Sequence, residues 1–335
     1  MHPLIDAMIT KMDTLVPSTH EEIRMCVGVS GGADSIFAVH MLHQWACTRK
    51  NKKITIIAAT VNHNLRPEAA DEAAFVANRM RSLDIPHYTL QWHAKTQAPS
   101  QGTARHGRYE CLVNHCIEHK LGYLITGHHA QDNAETILMR LARQSHIRGL
   151  RGLDERRAIK GVILLRPLLS VWPAHVQDYL NDHNHTWITD PSNANKRYTR
   201  THARTALTTP TSEIARLGFT PQGLIRWSEK ITQTHRFFSD CVNQFLTEHS
   251  HQSPTRTILN REAFDALHPE LQRHVLETLI WQISLTDHPP RWESIMNLQE
   301  RLAKQVTTTL GGWIIRPRPT IIQITPEPSR HKSTG

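Results

Sequence analysis

"CVGVSGGADSIFAVHMLHQW", residues 26–45, joins a short apolar run to a helically spaced one through two adjacent glycines. The β-rich run from Arg24 to Val29 and the periodic segment from Asp34 to Trp45 predict a strand, a tight turn and a helix. At such a junction the unpaired N–H groups and the positive dipole end of the helix point outward, which suits a phosphate. Gly31 and Gly32 let a ligand approach the backbone closely, and Ser30 and Ser35 add hydroxyl donors. Asp34 would repel phosphate by itself; a bridging Mg²⁺ would reconcile the two charges. The plainer alternative is a βα turn that needs glycines, with Asp34 or Ser35 as the helix cap.

Outward from this stretch the same alternation repeats. "ITIIAATV" (54–61) is a β-branched run suited to a buried parallel strand, followed by the Ala-rich helix "EAADEAAFVANRMRSLD" and the strand "IPHYTLQW". The helix "TARHGRYECLVNHCIEHK", the strand "LGYLITG" and a helix over 132–143 complete the series. The fold class is therefore α/β, a doubly wound, mostly parallel sheet that binds ligands at the carboxyl ends of its strands. Beyond residue 150 a strand is expected within "GVILLRPLL" and a helix from Trp172 to about 184. A boundary is placed near residue 208, giving domains 1–208 and 209–335. The second is smaller and mainly helical, with helices around 222–250, 262–284 and 289–303, and closes in a short strand meander, "TTTLGGWIIRPRPTIIQITPE", before a frayed tail.

The chain has 335 residues, and its 39 Lys and Arg against 30 Asp and Glu leave a net charge of +9, which favours a polyanionic partner. No apolar run approaches the ~18 residues of a membrane span. The start, "MHPLIDAMITKMDTLVPS", is broken by Asp6, Lys11 and Asp13 where a signal peptide would be apolar. A soluble, cytoplasmic protein with no membrane partner is expected, and a homodimer is an admissible assembly. The five cysteines are odd in number and form no C-x-x-C, so reduced, buried thiols are expected. Among the 24 histidines, His115 and His119 have the i, i+4 spacing of metal ligands but are expected to be incidental on an exposed helix face.

Ser30 to Ser35 reads S-G-G-x-D-S, without the Lys of G-x-x-x-x-G-K-[ST]. It resembles the pyrophosphate loop of the N-type ATP pyrophosphatases, the PP-loop superfamily. Four more segments are similar to one of its families, the tRNA(Ile)-lysidine synthases: "VNHNLRPEAADEAAFV" (61–76), "TARHGRYECL" (103–112), "TGHHAQDNAETILMRLARQSHIRGLRGL" (from Thr126) and "DPSNANKRYTRTHAR" (190–204). The chain departs from that family where Gln131 precedes and Asn133 follows Asp132, and it resembles the shorter members, without the larger C-terminal module.

The resemblance implies a Rossmann-like PP-loop domain and a ligase. ATP, with Mg²⁺, adenylates the C2 oxygen of the wobble cytidine in an isoleucine tRNA with a CAU anticodon, and free L-lysine displaces AMP. It implies catalytic roles for Asp34, Arg105 and His128, and nucleotide binding by Ser30, Gly31, Gly32, Asp34, Ser35, Arg108 and His128, with Asp34 the Mg²⁺ ligand. Arg105 and Arg108, three apart on a helix, could share a face toward one anion, or be a solvated face. Asp132 and Glu135 would hold the lysine ammonium; the alternative is a capping box. Arg148, Arg151, Arg197, Arg200 and Arg204 suit tRNA phosphates. Two other readings remain: a PP-loop tRNA thiolation enzyme, expected to use paired cysteines, and a non-catalytic basic RNA-binding protein.

Overall fold

The computed structural model describes residues 2–17, 22–49, 52–62, 69–93, 101–189, 199–253, 255–284, 286 and 289–328. Arg197, with most of the D-P-S-N segment, and the C-terminal tail lie outside them. Contacts divide the chain into two units, Met1–Ser145 with Gly149–Ser228, and His146–Arg148 with Glu229–Gly335.

In the first unit the elements run α1 (Pro3–Leu15), β1 (Glu22–Gly28), α2 (Ala33–Thr48), β2 (Lys53–Asn62), α3 (Ala69–Arg81), β3 (His87–Gln91), α4 (Gln101–Glu118), β4 (Tyr123–Thr126) and α5 (Ala130–Ala142). There follow α6 (Ile147–Leu150), β5 (Arg156–Ile159), β6 (Val162–Leu165), α7 (Pro173–Asp182), α8 (Thr199–Thr208), α9 (Glu213–Arg216) and α10 (Pro221–His249), of which α6 and α10 each belong partly to the second unit. The six strands form one sheet in the order β3-β2-β1-β4-β6-β5. All neighbours are parallel except the edge pair β5–β6, an antiparallel hairpin absent from the sequence reading. The doubly wound, mostly parallel sheet expected from the sequence is thus present.

Side-chain alternation explains the two covered faces. Met25 and Val27 of β1 and Ile56 and Ala58 of β2 meet α1, α2, α3 and α7 on one side. Cys26, Ile57 and Ala59 meet Leu112, Val113 and Cys116 of α4 on the other. Helix α1 buries Ile5, Met8, Met12 and Leu15, an apolar stripe at helical spacing. The thiol expectation needs correction at one end: Cys26 and Cys116 are buried, but Cys47, in the last turn of α2, is exposed. His115 also departs from the exposed face expected of it; it is 4% exposed because Tyr88 of β3 packs over it, ring centroids 4.9 Å apart.

The division at Ser228 lies beyond the expected boundary at 208. Leu207 of α8 and Leu224 of α10 share an apolar cluster with Ala134 and Ile137 of α5, which holds this stretch to the first unit. In the second unit, β7 (Ser250–Ser253) and β8 (Arg256–Asn260) lead to α11 (Arg261–Asp265), α12 (Pro269–Ser284) and α13 (Trp292–Ala303). The expected single helix over 262–284 is two, because the chain breaks before Pro269. The meander β9 (Thr308–Leu310), β10 (Trp313–Pro317) and β11 (Ile321–Pro326) then joins the antiparallel sheet β7-β8-β11-β10-β9.

One histidine of the first core sets a pH limit on stability. His40 of α2 is buried and stacks on His185 at 3.9 Å, and His185 in turn bonds Arg79. Burial, then the charges of His185, Arg79, His43 and His183, push His40 down to about 3. In the unfolded chain it titrates near ~6.5. A depressed folded value means a contribution present in full above the unfolded value and lost as pH falls toward the folded one. By pH ~4 the loss is on the order of 3 kcal/mol. Wild type is therefore expected to lose Tm between pH ~6.5 and ~4 more steeply than His40→Leu; parallel Tm curves would refute this.

Candidate active site at the switch point of the sheet

The chain leaves β1 toward β2 and β3 on one side and returns to β4 on the other, so the order reverses between β1 and β4. In open α/β sheets that reversal opens a crevice at the carboxyl ends of the two strands. Residues 29–35 follow β1 there and residues 127–129 follow β4.

The loop after β1 is built for close approach. Gly31 has φ +83°, and a Cβ on it would lie 2.7 Å from Ile188 Cδ1, while the Ile188 amide donates to its carbonyl at 2.9 Å. Gly32 is the N-cap of α2 and no side chain caps the helix. Neither Asp34 nor Ser35 fills the capping role considered for them. Ser35 Oγ instead donates to the Gly32 carbonyl (2.9 Å) and accepts from the Ser30 amide (3.2 Å), fixing the loop from inside. The loop and the strand beside it are pressed together: a Cβ on Gly127 would sit 2.9 Å from the Asp34 carbonyl group.

After β4, His128 lies between Thr126 Oγ1 (2.8 Å from Nδ1) and Arg105 Nη2 (2.9 Å from Nε2). A guanidinium can only donate, so Nε2 accepts and the ring proton sits on Nδ1, toward Thr126. Burial holds His128 well below the usual histidine range; Asp132 opposes this, and Arg105, Arg166 and Arg200 add to it. The guanidinium of Arg105 also lies 5.5 Å over the Tyr109 ring. Arg105 and Arg108 do not behave alike, since Arg108 is exposed on α4.

The sequence pairs His129 with His128 at the strand end, but only His128 is assigned a role there. It is the N-cap of α5, its Nδ1 accepting from the Asp132 amide (3.2 Å) while its own amide donates to Asp132 Oδ2 (3.1 Å). The capping box is thus His129 with Asp132, not the pair of Asp132 and Glu135 weighed as the alternative. With Nδ1 accepting, Nε2 carries the ring proton. It lies 3.7 Å from Asp34 Oδ2 and 3.6 Å from Asp132 Oδ2, linking the 30–35 loop to Asp132. Burial and the Asp132 charge raise the Asp34 carboxyl despite His129. Burial acts to raise Asp132 too, but His129, Arg200 and His128 outweigh it and hold Asp132 below the usual range.

Two arginines of α8 close the site. Arg200 Nε donates to Glu135 Oε2 (2.8 Å) and its Nη2 to Asp132 Oδ1 (2.9 Å), while Arg204 Nε donates to Glu135 Oε1 (2.6 Å). Glu135 is 0% exposed. The acids expected to hold lysine and two of the arginines expected to hold tRNA therefore meet in one network.

The remaining candidates have partners elsewhere. Arg148 lies 3.7 Å from Glu277 and 4.1 Å over the Trp281 ring. Arg151 lies 3.3 Å from Asp154. Arg140, from the same basic stretch, donates to the carbonyls of Gly149 and Gly152. Asn133, one of the two departures from the family pattern, accepts from the Leu153 amide (2.8 Å). It packs where a Cβ on Gly152 would clash at 2.3 Å, so its work is to fix that turn. The cysteine set expected of a thiolation enzyme does not gather here: Cys26 and Cys116 are in the core under α4.

Comparison with known proteins accords with this geometry. The family model of a PP-loop domain matches residues 5–211. The tRNA(Ile)-lysidine synthase of Ruegeria pomeroyi is 31% identical over 293 residues, 87% of this chain and 68% of the relative. That of Wolbachia pipientis wMel is 32% identical, covering 92% of this chain and 71% of its own. That of Rhodopseudomonas palustris is 32% identical, covering 91% and 90%. Among solved structures, the U34-tRNA thiolase NcsA from Methanococcus maripaludis with its [4Fe-4S] cluster matches with a TM-score of 0.56. At 16% identity over 68% of this chain and 80% of that one, it supports the fold alone. Among the described residues no helix is long and apolar enough to cross a membrane.

Proposed function

This chain belongs to the tRNA(Ile)-lysidine synthase family of PP-loop enzymes, and from that membership we propose how its residues divide the work of joining lysine to a tRNA base. The observation that carries the reading is the chain of contacts at the switch point: the 30–35 loop, Asp34, His129, Asp132, then Glu135 with its two arginines. A phosphate cradle thereby sits beside two acids suited to an ammonium.

In the proposed reaction the C2 oxygen of the wobble cytidine in a CAU-bearing isoleucine tRNA attacks the α-phosphorus of ATP. The bond to the bridging oxygen breaks and pyrophosphate leaves. The ε-amine of lysine then attacks C2, losing a proton as AMP departs. Activation is needed because a cytosine carbonyl has no leaving group. The amides at the start of α2, with Ser30, receive the phosphates, and Ser35 braces the loop from inside. Arg105 and the neutral His128 position and stabilise charge on the transferred phosphoryl, with Arg108 as a peripheral cation. Asp34 is the oxygen ligand suited to Mg²⁺, which would neutralise phosphate charge; its carboxylate, 33% exposed beside the loop, fits that use.

Asp132 and Glu135 are assigned the lysine ammonium, whose unperturbed pKa of ~10.4 requires it to be held and then deprotonated. Arg200 and Arg204 occupy these acids in the structure. Lysine entry is proposed to exchange for a guanidinium there, freeing it for the tRNA backbone; Arg148, Arg151 and Arg197 are each proposed as further phosphate contacts.

Purified protein with Mg-ATP, labelled lysine and tRNA is expected to yield acid-stable label in the CAU-bearing isoleucine tRNA and one AMP per lysine. No incorporation into any tRNA, or AMP release unlinked to lysine, would reject the reading.

A further inference from the structure

The second unit holds a separate cluster of ligand-type side chains: His146, just before α6, and Glu270 and His274 of α12. One ligand atom from each lies within 4.8 Å of the other two. Glu270 and His274 are four apart and so share a helix face. His146 is fixed against that face by stacking on Trp292, with centroids 3.5 Å apart and planes at 14°, and its ring lies 5.4 Å from that of His274.

The polar contacts are half complete. His146 Nε2 is 3.4 Å from Glu270 Oε1, and the other carboxylate oxygen accepts from Arg273 at 2.7 Å. His274 Nδ1 is 3.8 Å from Glu277 Oε2. His146 Nδ1 and His274 Nε2, however, are both buried with no hydrogen-bond partner among the described residues. A buried polar atom left unsatisfied costs roughly 1–3 kcal/mol, and two within one small cluster call for a missing ligand.

We propose that His146, Glu270 and His274 bind a divalent transition-metal ion of the zinc class. Two imidazoles and a carboxylate are a three-ligand set that such ions accept, with a fourth position left for water. His146 and Glu270, 24% and 34% exposed, give that position access to solvent. Glu277, against the far nitrogen of His274 and itself 3.7 Å from Arg148, is the carboxylate that orients a ligating histidine. Phe238, stacked on His274 at 4.6 Å, and Trp292 give the site an apolar wall. The ion would staple His146 to α12. The proposal does not rest on the lysine-transfer reading.

The test uses the full chain, stripped with a chelator and titrated with ZnCl2 by calorimetry, and with Co²⁺ for its ligand-field spectrum. One tight equivalent is expected, with a tetrahedral-type Co²⁺ spectrum and a rise in Tm on zinc addition. His146→Gln and Glu270→Gln, both part-exposed and so able to fold, should each weaken that site at least about tenfold and abolish the Tm rise. His115, Glu118 and His119 of α4 also lie within metal-holding distance of one another, so His119→Ala is the control and should leave the tight equivalent intact. Loss of that equivalent in His119→Ala, its persistence in His146→Gln and Glu270→Gln, or the lack of any tight equivalent would each overturn the proposal.

Discussion

Asp34→Asn is expected to slow pyrophosphate release by at least about 10²-fold while leaving tRNA affinity within about twofold, a loss typical of removing one electrostatic stabiliser from a reacting centre. The substitution keeps the shape of the side chain and removes its charge. That charge does two things in the proposed site: it holds Mg²⁺ beside the phosphates, and it faces the protonated Nε2 of His129 at 3.7 Å. Asparagine can keep the contact with His129 but is a poor ligand for Mg²⁺. Raising Mg²⁺ should therefore recover part of the rate if metal affinity is what was lost. The measurement is pyrophosphate release at several Mg²⁺ concentrations, with filter binding of tRNA alongside. Wild-type rates at saturating ATP would remove Asp34 from the chemistry. A matching loss of tRNA affinity in a folded variant would contradict the separation of nucleotide and tRNA sites.

Glu135→Gln carries the second large effect, on stability and on lysine together. Glu135 is fully buried and accepts from both Arg200 and Arg204. Removing one partner from a buried ion pair leaves uncompensated charge and costs about 3–5 kcal/mol. Arg204 is 36% exposed and can turn toward water, so the lower end of that range is expected. Denaturant unfolding should show it as a lower midpoint at unchanged slope. Lysine binding is a separate readout: KM for lysine should rise at least about tenfold at temperatures where the variant is folded, with KM for ATP little changed. An unchanged lysine KM in the destabilised variant would make Glu135 an anchor for α8 and nothing more.

The strand-turn-helix of residues 26–45 and the alternation after it were legible because a buried parallel strand and an amphipathic helix each write their own period into the chain. The edge strand β5 was not: Arg156 to Ile159 is short, half polar and paired only to its immediate neighbour β6. The stripe of Ile5, Met8, Met12 and Leu15 was open to view, but its charges were weighed against a signal peptide and not as the wet face of α1. His128 could be reached from its place after a strand. The bond that fixes its tautomer could not, because Arg105 comes from another helix. Arg200 and Arg204 show the same limit. Their basic character suggested phosphate, but their partner Glu135 is 65 and 69 residues away, and no local pattern reports such a pairing.

The glycine at position 127 has a mechanical consequence. With the backbone just after β4 lying directly against that of Asp34, the 30–35 loop and the histidine pair are packed on one another with no room for a side chain between them. The exchange proposed for lysine entry then falls on the guanidinium arms of Arg200 and Arg204, which reach these acids from α8.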